Sequence, residues 1–318
     1  MPPSLHPQTI IALIWDFDKT LTHSYMQDPL FAEFQVDPTS FWNEVNSLEK
    51  YYQDPSLPGG LARVGKDTVY LNHILTYVRD GVFPGLTNDK LRELGSRIVL
   101  APGLPDFFDR SREIVNDSPY LDHKITVEHY IVSTGLRPMI EGSALAQKID
   151  GIWACELLPA APAVGSSSSA GQASPVVSQI GYTVDNTSKT RAVFEINKGV
   201  NKNPEIDVNS VVPDDERRVP IRNMIYIADG PSDVPCFSLV QSKGGKTLGV
   251  YAPGAPNYDN AAALEEQGRV NSIAEADYSP DSPADRWLTR QIRSIANLIV
   301  RDRQRILDSY GSAPGHVV

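Results

Sequence analysis

Apolar residues run unbroken from Ile10 to Trp15 and then stop at Asp16 and Asp18. A run of that length with polar bounds predicts a buried strand. The pattern returns in EHYIVSTG, where the run stops at Ser133, Thr134 and Gly135, and in NMIYIADGPSD, which ends at Asp229 and Asp233. It returns again in TLGVYAP, so Ile131, Ile225 and Leu248 mark three central strands beside the first. GIWACELL and QIGYTVD read as two further strands. Strands alternating with helical segments predict an α/β fold, a doubly wound, Rossmann-like parallel sheet.

The period changes over roughly His23 to Ile98. Asp37 followed by Pro38 predicts a helix start, a cap and then a first-turn proline. Phe41, Val45, Leu48 and Tyr52 then share one face. Leu71, Ile74, Leu75 and Val78 form a second helical stripe, and Leu91, Leu94 and Ile98 a third after Thr87. This divides the chain into a core, 1–22 and 99–318, and an inserted helical cap, 23–98. A long C-terminal helix is expected over 282–310, with Pro283 first and Trp287, Ile292, Ile295, Ile299 and Ile306 on its apolar face. Its other side carries Arg290, Arg293, Arg301, Arg303 and Arg305, interleaved with Asp285, Asp302 and Asp308. Packing on the core with a solvated face is the favoured reading; a homodimer contact and a basic membrane or nucleic-acid helix are the alternatives.

Pro159 to Val176 is built of small, polar and proline residues that cannot bury a core, which predicts a flexible surface loop. The whole chain, 318 residues with 41% hydrophobic and 21% charged content, fits two domains or one large one. Lys plus Arg number 29 against 39 Asp plus Glu, a net −10, which argues against a nucleic-acid backbone as the main partner. No apolar run approaches a membrane span, and MPPSLHPQT lacks the regions of a signal peptide. Cys155 and Cys236 form neither a metal spacing nor a disulfide framework, so a reducing cytoplasm is the expected setting.

The chemistry concentrates where the predicted strands end. Acids at the carboxyl edge of a buried parallel strand lie where open α/β sheets bind ligands. Asp16 and Asp18, two apart on an extended chain, point the same way about 7 Å apart. A loop that curls after the strand brings both to one centre, as a nucleophile beside an acid/base or as a shared cation site. SKGGKT, Ser242 to Thr247, imitates a phosphate-binding loop, but Val240 stands where that pattern needs glycine, and a strand follows instead of a helix.

In order along the chain, WDFDKTLT, IVSTG, Lys189 at a helix start and ADGPSD resemble the four motifs of the haloacid dehalogenase superfamily of phosphohydrolases, in its phosphoserine-phosphatase-like branch. The likeness covers Gln8 to about Tyr251, the cap matching in position only. Ala228 and Thr134 stand where those relatives often carry glycine. The resemblance implies Asp16 as nucleophile through an aspartyl-phosphate, Asp18 as acid/base, and Lys189 and Mg²⁺ as the positive charge. It implies Mg²⁺ at Asp16, the main-chain carbonyl of Asp18 and Asp229, with Asp233 orienting a metal-bound water or Lys189. Ser133 is expected to donate to a phosphoryl oxygen and Thr20 to hold the first loop.

Asp18 favours phosphomonoester hydrolysis, because the leaving alkoxide needs a proton and the attacking water must lose one. Transfer to another hydroxyl uses the same acid, and a binding protein that has lost turnover is the reading from another class. The expected substrate is a small phosphorylated metabolite, since a closed cap excludes a protein surface. Thr134, Gly135 and Arg137 are candidate substrate contacts beside the second motif. Arg137, in a first helical turn where a cation is unfavourable, answers either an anionic substrate group or a neighbouring acid. Tyr70, His73, Tyr77, Arg79, Arg63 and Lys66 are the cap residues able to read the leaving group.

Overall fold

The computed structural model describes residues 8–57, 64–162, 174–203, 205–254 and 257–311. Arg63 and most of the expected serine-rich loop lie outside the described residues. The strands are β1 (Ile10–Trp15), β2 (Thr126–Leu136), β3 (Gly151–Pro159), β4 (Val177–Tyr182), β5 (Met224–Ala228), β6 (Lys246–Tyr251) and β7 (Ser272–Glu275). The helices are α1 (Asp28–Glu33), α2 (Pro38–Gln53), α3 (Lys66–Arg79), α4 (Asn88–Gly95), α5 (Asp106–Glu113), α6 (Arg137–Gly142), α7 (Ser188–Lys198), α8 (Val234–Ser242), α9 (Tyr258–Glu266) and α10 (Pro283–Gly311).

One sheet of order β4-β3-β2-β1-β5-β6-β7 holds all seven strands. Every pairing is parallel except β3 with β4, which is antiparallel. The chain winds one way from β1 to β3 and the other way from β5 to β7, so β1 and β5 flank the point where the winding reverses. That crevice, at the carboxyl ends of the strands, is where this topology places ligands. β7 escapes the pattern reading because its four residues, SIAE, are too short to show a period.

Alternation along β1 divides the core. Ile11, Leu13 and Trp15 join one buried cluster, and Ala12 and Ile14 join the other. Both faces of the strand are therefore covered, which is why its sequence is apolar without a break. Each fully buried leucine or isoleucine there contributes roughly 1.5–3 kcal/mol. Val193 and Ile196 of α7, Phe237 and Val240 of α8 and Leu264 of α9 cover one face. Phe107 and Phe108 of α5 and Leu288, Ile292 and Ile295 of α10 cover the other.

Helices α1 to α4 occupy the segment expected to form the cap. Asp37 accepts from Ser40 N at the start of α2, with Pro38 first in the helix, as the sequence predicts. Phe41 and Val45 are buried, but Tyr52 at the far end of that stripe is exposed. This segment also meets the sheet, because Thr87 bridges Val176 beside β4. α10 packs through Ile292, Ile295 and Ile299, while Ile306 is exposed. The expected apolar face is thus covered over the first part of the helix only. Among the described residues no helix is long and apolar enough to cross a membrane.

Candidate active site

Register brings the motif residues together. Trp15 pairs with Ile131 of β2 and Ile227 of β5, so the three strands end side by side. Asp16, one residue past β1, donates its N–H to Ile227 O at 2.9 Å. Asp229 is one residue past β5, and Ser133 lies two past Ile131. Lys189, the second residue of α7, donates from Nζ to Asp16 Oδ1 at 2.7 Å and to Asp233 Oδ1 at 2.8 Å. Asp233 also accepts from the Tyr226 hydroxyl at 2.6 Å and from Ser232 at 2.7 Å, which fix its carboxylate beside Lys189. Tyr226 is a partner the motif reading missed; its place in β5, three before Asp229, is the only sequence signal for it.

The loop after β1 curls as the paired acids require. Lys19 takes a left-handed backbone, φ 60°, a conformation that costs a non-glycine residue roughly 1–2 kcal/mol. Thr22 Oγ1 accepts from Lys19 N at 3.3 Å and donates to Ser24 O at 2.6 Å, and Tyr278 donates to Thr20 O at 2.8 Å. The side chain that ties this loop is therefore Thr22. The Thr20 hydroxyl, expected in that role, is buried without a partner among the described residues. The curl leaves Asp18 Oδ1 accepting from Met26 N at 2.7 Å. Lys19 Nζ donates to Tyr25 OH at 2.8 Å.

The second motif does not end its strand where expected. β2 continues through Leu136, with a register shift against β3 between Val132 and Leu136, and α6 begins at Arg137 without a side-chain cap. Ser133 Oγ instead accepts from Gly135 N at 3.0 Å, one turn of the irregular strand. Gly135 leaves room for Met26, whose terminal methyl and sulfur would collide with any Cβ there. Thr134 O accepts from the Tyr70 hydroxyl at 2.6 Å, which joins α3 to the second motif. Arg137 pairs with Glu141 at 2.8 Å and Glu156 at 3.0 Å. Of the two readings of its charge, the neighbouring acids are the one seen. His73 and Tyr77 both bond Glu44, at 2.7 and 2.6 Å, Arg79 pairs with Asp80, and Lys66 with Glu49.

Electrostatically the centre is an excess of anions in a dry place. Lys189 is 1% exposed, Asp16 6% and Asp233 0%. Burial, only partly offset by Lys189, pushes Asp16 up to about 6. Burial and the Asp16 charge push Asp18 up to about 8, and burial with Asp16 and Asp233 pushes Asp229 up to about 7. For Lys189, burial opposes the charge, but Asp16 and Asp233 outweigh it and hold the ammonium above its ordinary range. Carboxylate oxygens of Asp16, Asp229 and Asp233 lie within 4.8 Å of one another. Three converging carboxylates in low dielectric with one lysine between two of them fit a hard, oxygen-seeking cation such as Mg²⁺.

Fold and site together define a doubly wound α/β protein with a carboxylate–lysine centre at its switch point, built from the four segments that the superfamily resemblance picks out. The chain belongs to the same family as an uncharacterized protein of Borreliella burgdorferi, with 38% identity over 290 residues, 90% of this chain and 97% of that one. No family model matches it. Among solved structures it is similar to a probable phosphoserine phosphatase from Vibrio cholerae, at 13% identity over 94% of this chain and 68% of that one, TM-score 0.48. It is also similar to a HAD family hydrolase from Salmonella enterica serovar Typhi, at 13% identity over 85% and 68% of the two chains, TM-score 0.47.

Proposed function

We propose that the protein is a Mg²⁺-dependent phosphatase that hydrolyses a small phosphomonoester through an aspartyl-phosphate on Asp16. One observation carries this reading: the Asp16 carboxylate, fixed by Lys189 at 2.7 Å, has oxygens within 4.8 Å of those of Asp229 and Asp233 and stands two residues from a second acid, Asp18. An anionic nucleophile attacks an anionic phosphate only where positive charge offsets both. Lys189 supplies part of it. Mg²⁺, held by Asp16, Asp229 and the main-chain carbonyl of Asp18, would supply the rest as charge stabilisation.

In the first step an Asp16 carboxylate oxygen bonds to phosphorus as the ester P–O bond breaks. Asp18, whose carboxyl burial and the Asp16 charge hold above the usual carboxylate range, gives a proton to the departing alkoxide. In the second step water attacks phosphorus, Asp18 takes the water proton, and the Asp16–phosphorus bond breaks to release phosphate. One carboxyl thus serves as acid and then as base. The Ser133 hydroxyl, 1% exposed and beside the site, is the donor for a phosphoryl oxygen. Asp233 keeps Lys189 aimed at Asp16.

Phosphate release across phosphorylated amino acids, sugars, nucleotides and cofactors tests the reading, with EDTA and Asp16→Asn as controls. Release lost in both controls is the expected result. Label moving to an acceptor hydroxyl without free phosphate would make the protein a phosphotransferase. Absence of both reactions in folded, Mg²⁺-bound protein would leave a binding role.

A further inference from the structure

Resting on the reading of Asp18 as acid and base, we infer that Lys19 and Tyr25 are positioning residues for its proton transfers: their contact locks the first loop around the Asp18 carboxyl. The loop is laced in pairs from its ends inward. Met26 N donates to Asp18 Oδ1 at 2.7 Å. One residue in from each end, Lys19 Nζ donates to the Tyr25 hydroxyl at 2.8 Å and stands 4.2 Å from the centre of its ring. Next inward, Ser24 O accepts from Lys19 N at 3.3 Å. The bond that holds the acid and the contact between Lys19 and Tyr25 are therefore adjacent rungs, and the inner rung sets where Met26 stands.

Both members of that inner rung are held. Lys19 keeps a long side chain at φ 60°, a backbone position that suits glycine. Such a conformation persists where surrounding contacts over-determine it, and those places collect at active sites. The Lys19 ammonium gains both a charged hydrogen bond and an aromatic face. Tyr25 is anchored in turn. Its ring lies against Trp42 of α2 with centroids 5.2 Å apart, and its carbonyl accepts from Asp28 N at 3.1 Å where α1 begins. Met26 then runs inward and is buried, with Leu136 N donating to its sulfur at 3.1 Å. The Asp18 carboxyl thus takes its direction from a residue gripped by Tyr25 on one side and by the second motif on the other. A hydrogen bond on Oδ1 leaves Oδ2 to carry the proton to the leaving oxygen and to take one back from water. Small errors in that direction are costly, because proton transfer needs both oxygens within hydrogen-bond reach.

This role has a signature that loop rigidity alone lacks. A basic alkoxide needs the Asp18 proton to depart, whereas nitrophenolate leaves without it. A misdirected acid therefore slows esters of basic alcohols and spares those of acidic ones.

The test measures kcat/KM for p-nitrophenyl, phenyl and benzyl phosphate, with Mg²⁺, in the native protein, Lys19→Gly and Tyr25→Phe. Alongside, amide hydrogen exchange is followed in protein carrying isotope-labelled methionine, where Met139 in α6 and Met224 in β5 are internal controls for Met26. Tyr25→Phe removes one oxygen from a side chain that is 38% exposed, so the core is left as it is. In both variants kcat/KM for benzyl phosphate should fall about tenfold further than for p-nitrophenyl phosphate. Met26 should exchange faster while Met139 and Met224 keep their rates. An equal loss across the three esters, or no loss, overturns the inference, as does unchanged exchange at Met26. Faster exchange at all three methionines in Tyr25→Phe overturns it as well, since the contact would then serve the fold at large. If the native protein cleaves none of the esters, faster exchange at Met26 alone keeps the lock on Asp18 and sinks the phosphatase reading.

Discussion

Lys189 Nζ lies 2.7 Å from Asp16 Oδ1, a contact between residues 173 positions apart in the chain and sealed from water. A buried ion pair of this kind is held less for stability than for placing its members, because desolvation consumes most of the Coulomb gain. Here it fixes the Asp16 carboxylate and places the Lys189 ammonium between Asp16 and Asp233. Removing one partner is a different matter from replacing both.

Lys189→Met should abolish phosphate release and lower stability by about 3–5 kcal/mol at neutral pH, since Asp16 and Asp233 would then face each other uncompensated. Urea unfolding at pH 7.5 beside an activity assay measures both. A fully active variant would remove Lys189 from the chemistry.

Asp18→Asn should still let Asp16 accept phosphate from a substrate with a good leaving group, and should slow its release by roughly 10²–10⁴-fold. Quenched-flow trapping of labelled protein reads the intermediate directly. Turnover at the native rate would take the acid/base role away from Asp18.

Mg²⁺ should raise the melting temperature of the native protein, because a ligand that binds only the folded state stabilises it, by about 2.7 kcal/mol at a hundredfold excess over Kd. Asp229→Ala should lose most of that shift together with metal-dependent activity. An undiminished shift would move the metal away from the carboxylates at the ends of β1 and β5.

His129 gives a pH dependence independent of the metal. It is fully buried, accepts from Trp15 Nε1 at 3.1 Å on Nδ1, and meets Ser111 Oγ at 2.8 Å on Nε2. An indole only donates, so the imidazole is neutral with its proton on Nε2. Burial first, and the Arg112 charge second, hold His129 well below the ordinary histidine value of 6.5. The unfolded chain therefore binds a proton near pH 6 that the folded chain refuses. Its contribution to stability is present above 6.5 and falls by about 1.4 kcal/mol per pH unit below it. Asp16 and Asp18, with raised values, act in the opposite sense, so the comparison needed is native protein against His129→Gln. Identical slopes between pH 7 and 5 would show that His129 is not the group responsible.

Arg137→Ala should leave the preference between anionic and neutral alcohols unchanged and cost less than about 1 kcal/mol, as exposed ion pairs do. Steady-state rates on matched substrate pairs decide this. A lost preference for anionic alcohols would give Arg137 back to the substrate.

Much of this protein is legible along the chain because its constraints are local. A strand covered on both faces must be apolar throughout, and Ile10–Trp15 is. A helix start needs an acceptor, and Asp37 provides it before Pro38. The acids that end β1 and β5 had to fall where buried strands meet solvent, so Asp16, Asp18 and Asp229 could be picked out with Lys189 and Ser133. Sequence could not say that Thr22 ties the first loop where Thr20 was expected, since one hydroxyl looks like another until the backbone curls. Nor could it say that Arg137 answers Glu156, nineteen residues on and on the neighbouring strand, or that Tyr226 and Tyr70 reach the motif residues from β5 and α3. Those choices depend on which side chains meet across long separations, and on how much water is left between them. Only the folded arrangement sets either.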